Sequence, residues 1–197
     1  MTGVQTCALP ICAIADYSQA ISLDQKYADA YYLRGRVWYA QQDYDHAIAD
    51  FGQAISLDQK HADAYYWRGR VWYVRKDYDH AIADYGQAIS LAPKSTQYYV
   101  WRADALDDKG DHDSAIADYS EALKLDPNDA DAYMNRGFAW ENKGDHDRAI
   151  ADYDAAINLD PNYGLAYANR GAAWQAKGDA ARANADFDSA KRLGQGN

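Results

Sequence analysis

Ala28-Asp-Ala-Tyr-Tyr-Leu-Arg-Gly-Arg-Val-Trp-Tyr39 returns 34 residues later as Ala62-Asp-Ala-Tyr-Tyr-Trp-Arg-Gly-Arg-Val-Trp-Tyr73. Thr96-Gln-Tyr-Tyr-Val-Trp-Arg102, Ala130-Asp-Ala-Tyr-Met-Asn-Arg-Gly137 and Gly164-Leu-Ala-Tyr-Ala-Asn-Arg-Gly171 continue the series at the same spacing. A second string interleaves with the first: Ala47-Ile-Ala-Asp-Phe51, Ala81-Ile-Ala-Asp-Tyr85, Ala115-Ile-Ala-Asp-Tyr119 and Ala149-Ile-Ala-Asp-Tyr153, with Ala13-Ile-Ala-Asp-Tyr17 standing alone. A fixed period of this length marks a repeat array, whose units stack on one another because none can bury its own faces. Repeat positions are numbered below from 1 to 34, starting at residues 28, 62, 96, 130 and 164.

Within one repeat, positions 4, 8 and 11 fall on one helical stripe, and positions 20, 24 and 27 on another. Position 8 is Gly in four copies and Ala103 in one, and position 20 is always Ala. Such small residues let two helices approach closely, and the aromatics at positions 4 and 24 fill the remaining space. Asp recurs at positions 16 and 18, where a carboxylate caps free N–H groups and meets the positive end of a helix. The spacing predicts helices near 29–42, 45–57, 63–76, 79–91, 97–109, 113–125, 131–143, 147–159, 165–177 and 180–193, and an unpaired one over 12–23.

These residues resemble the tetratricopeptide repeat family: the aromatic at position 4 (Tyr31, Tyr65, Tyr99, Tyr133, Tyr167), the small position 8, and Trp38, Trp72, Trp140 and Trp174 at position 11. Ala at 20 and 27, Tyr or Phe at 24, and Pro93, Pro127 and Pro161 at position 32 complete the pattern. The resemblance implies an all-α, right-handed α-solenoid of antiparallel helix pairs, about eleven helices in all. It divides the chain into a half repeat over 12–27 and five repeats over 28–197. The last is self-capping, because Asn184 and Lys191 replace the apolar residues of earlier copies.

The family also implies a function, protein–protein interaction by a scaffold that holds a peptide or partner segment in a concave groove. Carried over by position, the groove residues are Tyr32, Arg36, Tyr39, Tyr66, Arg70 and Tyr73 in the first two repeats, then Asp104, Asp107, Asp108, Phe138 and Glu141. A peptide in such a groove is expected to set acidic or aromatic residues against the first two repeats and basic residues against the third. The carboxylate clamp of chaperone-binding members is not expected, since Lys never occupies position 5 and Asn never position 9. Self-association through the first helix, and a regulatory arm of a longer enzyme, stand as alternatives.

Composition narrows the partners. The chain has 197 residues and a net charge of −10, which repels phosphate and argues against nucleic acid. No run is long and apolar enough for a membrane span. No Ser/His/Asp arrangement, phosphate loop or zinc spacing occurs, so no enzyme activity, cofactor or metal is expected. Asp107-Asp-Lys-Gly-Asp-His-Asp113 lacks the Gly and Glu placement of a calcium loop. His46 and His80 (position 19) and His112 and His146 (position 17) are expected to face water. Arg at position 7 and Asp at position 23 recur in every repeat, and a structural ladder is favoured over five ligand-reading cations. Met1 to Ile11 fits no repeat register and resembles a translated sequencing adapter, which would make Cys7 and the identity of Cys12 artefacts and the first repeat a cut one.

Overall fold

A computed structural model describes residues 10–194. The adapter-like stretch and Cys7 lie almost wholly outside that range. The described residues form eleven α-helices and no strand: α1 (Pro10–Leu23), α2 (Ala28–Ala40), α3 (Tyr44–Leu57), α4 (Ala62–Val74), α5 (Tyr78–Leu91), α6 (Thr96–Lys109), α7 (His112–Leu125), α8 (Ala130–Asn142), α9 (His146–Leu159), α10 (Gly164–Ala176) and α11 (Ala180–Arg192). The observed ends differ from the expected ones by no more than two residues. α1 starts at Pro10 rather than Cys12, because proline is tolerated in a first turn, whose N–H groups have no intrahelical acceptor.

The helices form two compact units, Met1–Pro93 with α1 to α5 and Lys94–Asn197 with α6 to α11. In the first, α2 pairs with α3 and α4 with α5, while α1 lies on α2 and α3 on α4. In the second, α6/α7, α8/α9 and α10/α11 are the pairs, joined through α7 to α8 and α9 to α10. The first helices of consecutive repeats also touch, α2 with α4, α6 with α8 and α8 with α10. Each unit is therefore a stack of helix hairpins with a row of first helices along one side.

Helix pairing is set by position 8 against position 24. A Cβ added at Gly35 would stand 2.8 Å from the Phe51 ring, and one at Gly137 2.7 Å from the Tyr153 ring. Those separations are too short for a side chain, so glycine there permits the approach of the two helices. The Ala residues at positions 20 and 27 are buried in all five repeats. Each second helix opens on an Asp at position 16, whose carboxylate accepts the N–H three residues on, as Asp43 does from His46 at 3.2 Å. The turn before it takes a left-handed residue at position 15: Gln42, Lys76, Gly110, Gly144 and Gly178. Gly110 and Asp111 in the acidic stretch 107–113 serve as such a turn and cap.

The Arg–Asp ladder is present in every repeat. Arg34–Asp50, Arg68–Asp84, Arg102–Asp118, Arg136–Asp152 and Arg170–Asp186 are bidentate pairs with N–O distances between 2.6 and 2.8 Å. The five carboxylates are the buried charged residues of the core, 5–6% exposed. Desolvated carboxylates need such partners. α11 exposes Asn184 and Lys191 where earlier copies carry Ile or Leu.

Candidate interaction surface

In the first unit, α2 and α4 bring Tyr32, Arg36, Tyr39, Tyr66 and Arg70 around one residue outside the expected set, Trp67. The Arg36 guanidinium lies 4.9 Å from the Trp67 ring centre and that of Arg70 lies 4.6 Å from it. Tyr39 meets the same indole edge-on at 5.3 Å. Arg36 also stands over Tyr32 at 5.7 Å, and Arg70 over Tyr39 at 5.2 Å and Tyr66 at 5.9 Å. Contacts of this kind are worth roughly 0.5–2 kcal/mol each, more as they are desolvated. Burial raises the Tyr32 hydroxyl above its ordinary value, and the neighbouring Arg36 charge opposes the rise.

Exposure sorts the cluster. Arg36 is exposed, while Arg70, Tyr32 and Tyr39 are half-buried. Tyr66 is 2% exposed and lies under the cluster rather than on its surface, which corrects its placement as a groove-lining residue. Burial pushes its hydroxyl up to about 12, against the lowering pull of Arg70. Tyr73 is half-buried and packs on Tyr78 at 5.8 Å. Asp29 and Asp63 stand near the N-terminal ends of α2 and α4, and Asp29 is 3.3 Å from His61. The face thus carries an acidic row, an aromatic row and a cationic row.

The second unit has a different face. Asp104 accepts the Tyr119 hydroxyl at 2.5 Å and the Asn135 amide at 3.4 Å. Burial pushes its carboxyl up to about 6, with the charges of Asp108 and Asp107 adding to the rise and the Tyr119 hydrogen bond opposing it. Asp107 pairs with His112 at 2.6 Å, and Glu141 with His146 at 2.9 Å. Asp108 is exposed, and Phe138 is 48% exposed.

Two family profiles match the chain. The profile described as tetratricopeptide repeat matches residues 39–96 and 102–164, more than half of the chain, and one described as TPR repeat matches 13–41. The chain belongs to the tetratricopeptide repeat family. No curated protein matches it by sequence. Among solved structures, it is similar to YrrB, titled a TPR protein with an unusual peptide-binding site, at 23% identity over 90% of this chain and 91% of that one, TM-score 0.78. It is similar to MamA at 24% identity over 84% and 91%, TM-score 0.80. Yeast Tom70 aligns at 22% identity over 91% of this chain and 39% of that one, TM-score 0.68. These likenesses are to helical-repeat solenoids, and tetratricopeptide arrays are protein-interaction scaffolds.

Within this tetratricopeptide array, the histidines separate into two kinds. His46 and His80 face water, as expected, beside their capping Asp43 and Asp77 and against the rings of Trp38 and Trp72. His112 and His146 do not: both are half-buried, because the carboxylate at position 12 of the same repeat reaches them. Trp67 had a legible signal, since it is the single difference between 28–39 and 62–73, replacing Leu33. Asn135 and Asn169, at position 6 without a clamp, turn to Asp104 and to the Met134 sulfur at 3.7 Å. No described helix is long and apolar enough to cross a membrane.

Proposed function

We propose that the protein binds partner segments on its first-helix faces, and that the face of α2 and α4 takes a segment carrying acidic and aromatic residues. The observation behind this is the pair of guanidinium groups stacked about Trp67. Stacking fixes each guanidinium plane and so lowers the entropy lost on meeting a carboxylate. Tyr, Trp and Arg are also the residue types that dominate interface energies. Tyr32, Arg36, Tyr39 and Arg70 are the contact residues, with Trp67 as their support. Binding, not catalysis, is the role these side chains favour, and the net charge of −10 disfavours nucleic acid.

The test is binding of two fluorescent peptides, one alternating Asp and Phe and one alternating Ser and Gly, to the full chain. The Asp–Phe peptide should bind, and Arg36→Glu with Arg70→Glu should abolish binding while the circular dichroism spectrum stays helical. Unchanged binding by the double variant would remove this reading. A second reading has support in α1, where Ile14, Tyr17, Ala20 and Ile21 are only half-covered. It is self-association through that helix, and sedimentation over a range of concentrations checks it.

A further inference from the structure

Positions 9 and 6 of consecutive first helices meet, and what they hold differs along the chain. Between α2 and α4 they are Arg36 and Trp67, a guanidinium on an indole. Between α6 and α8 they are Asp104 and Asn135, which share a hydrogen bond. For α8 and α10 they are Phe138 and Asn169, and the Asn169 amide turns to Met134 instead. Phe138 is left nearly half exposed on a first-helix face. In the same repeat, the Tyr153 hydroxyl is buried with no hydrogen-bond partner among the described residues, whereas Tyr119 at the equivalent position donates to Asp104.

The charge around Phe138 is one-signed. Along the groove positions 2, 5, 9, 12 and 13 of the last three repeats there is no Lys or Arg. One helical turn before Phe138, Asn135 holds the Asp104 carboxylate, and one turn after it stands Glu141. The neighbouring positions on α10 are Ala168 and Ala172, of which Ala172 is exposed. In the first unit the chain's own arginine covers the aromatic ring, while in the second no arginine of these groove positions does, and the carboxylates beside Phe138 are held by neutral donors and a histidine, Asp104 by Tyr119 and Asn135 and Glu141 by His146.

We infer that the α8 face docks a partner protein segment that lays an arginine over Phe138, its guanidinium toward Asp104 and Glu141, with an adjoining apolar residue on Ala168 and Ala172. An aromatic ring flanked by carboxylates is complementary to a guanidinium, which stacks as well as pairs. The inference rests on the first-helix faces being the interaction surface.

The probes are short fluorescent peptides alternating Leu with Arg, Leu with Lys, and Asp with Phe, titrated into the full chain. The Leu–Arg peptide should bind more tightly than the Leu–Lys peptide. Phe138→Ala should weaken it by roughly tenfold or more, as should Asp104→Asn with Glu141→Gln, and higher salt should weaken it further. Because Phe138 is half exposed, its truncation leaves the core intact, and a matching thermal melt verifies that. Arg36→Glu with Arg70→Glu should leave Leu–Arg binding undiminished. Equal binding of the lysine peptide, or Leu–Arg binding indifferent to Phe138→Ala, reduces the effect to bulk attraction to an acidic chain and overturns the inference. If the Asp–Phe peptide binds through Arg36 and Arg70 but Leu–Arg does not bind, this inference fails and the first-helix reading stands. If neither binds, both fail.

Discussion

Arg34 joins three helices: its Nε and one terminal nitrogen each donate to Asp50 at 2.7 Å, and its other terminal nitrogen donates to Ser18 of α1 at 2.9 Å. Arg136 repeats the arrangement with Asp152 and Ser120, and Arg170 with Asp186 and Asp154. The pair within a repeat fixes the two helices of a hairpin, and the third donor fixes one hairpin on the next. Position 25 is therefore part of the device, although neither its Ser nor its Asp stands out in the sequence.

The two partners are not equally buried, and that ranks their variants. The Asp84 side chain is 8% exposed and Arg68 is 25% exposed. Arg68→Leu strands a carboxylate in the core, whereas Asp84→Ala leaves a guanidinium that reaches water. Arg68→Leu should cost on the order of 3–5 kcal/mol and Asp84→Ala less, while Arg68→Leu with Asp84→Leu should come close to the parent. Thermal melts of the three variants check the order. If Arg68→Leu alone is neutral, the ladder is not what holds this hairpin.

Position 15 offers stabilisation without touching any contact. Gln42 and Lys76 sit at φ of 62° and 61°, where later repeats place Gly110, Gly144 and Gly178. A side chain there is strained, and glycine relieves it at some cost in unfolded-state entropy. Gln42→Gly and Lys76→Gly should each raise stability by about 0.5–1 kcal/mol, and Gly144→Ala should lower it by about 1 kcal/mol. Denaturant midpoints with unchanged slopes would show it, and a loss on Lys76→Gly would sink the idea.

How much was legible follows from what the repeat specifies. Period, helix ends, the second-helix caps, the Gly35–Phe51 approach and the Arg–Asp ladder were all readable, because each recurs in all five copies or, for the glycine, in four, and must satisfy the same geometry each time. The candidate surface was less so, since it lives in departures from the repeat. Trp67 could have been found, as the lone change between two otherwise identical strings. The burial of Tyr66, unlike the half-exposed Tyr32, depends on that indole and on Tyr85 behind it, which positions alone do not reveal. The pairing of His112 with Asp107 joins positions 17 and 12 across a turn, a contact set by turn geometry rather than helical spacing.

Asp104 gives the array a pH dependence. Its folded value near 6 lies above the ordinary carboxyl value of 3.8, so the folded chain binds a proton more tightly than the unfolded one between those limits. The contribution of Asp104 to stability is then greatest below the window, falls as pH rises through it, and levels off above 6. Asp104→Asn keeps an acceptor for Tyr119 and removes the desolvated charge. The variant should gain about 2 kcal/mol at neutral pH, and the gain should vanish near pH 4. Because His112 and Asp107 are common to both proteins, the difference isolates Asp104. Parallel stability curves for the two proteins across this range would contradict the assignment.

The last expectation concerns α1. It packs against α2 alone, whereas α3 packs against both α2 and α4. Asp16 is exposed, while its equivalents Asp50 and Asp84 are 6% and 5% exposed. Its ion-assisted tie to the rest of the unit is the Ser18 hydroxyl that accepts from Arg34. Local opening should be correspondingly cheap, since little apolar surface leaves its partner when the helix detaches. Amides of 14–23 should exchange with solvent much faster than those of 48–57 in the same unit, and Ser18→Ala should speed them further without altering α3. If protection in α1 rises with protein concentration, a second copy is covering Ile14, Tyr17 and Ile21. Protection of α1 equal to that of α3 in a dilute monomer would show that one neighbouring helix suffices to hold it.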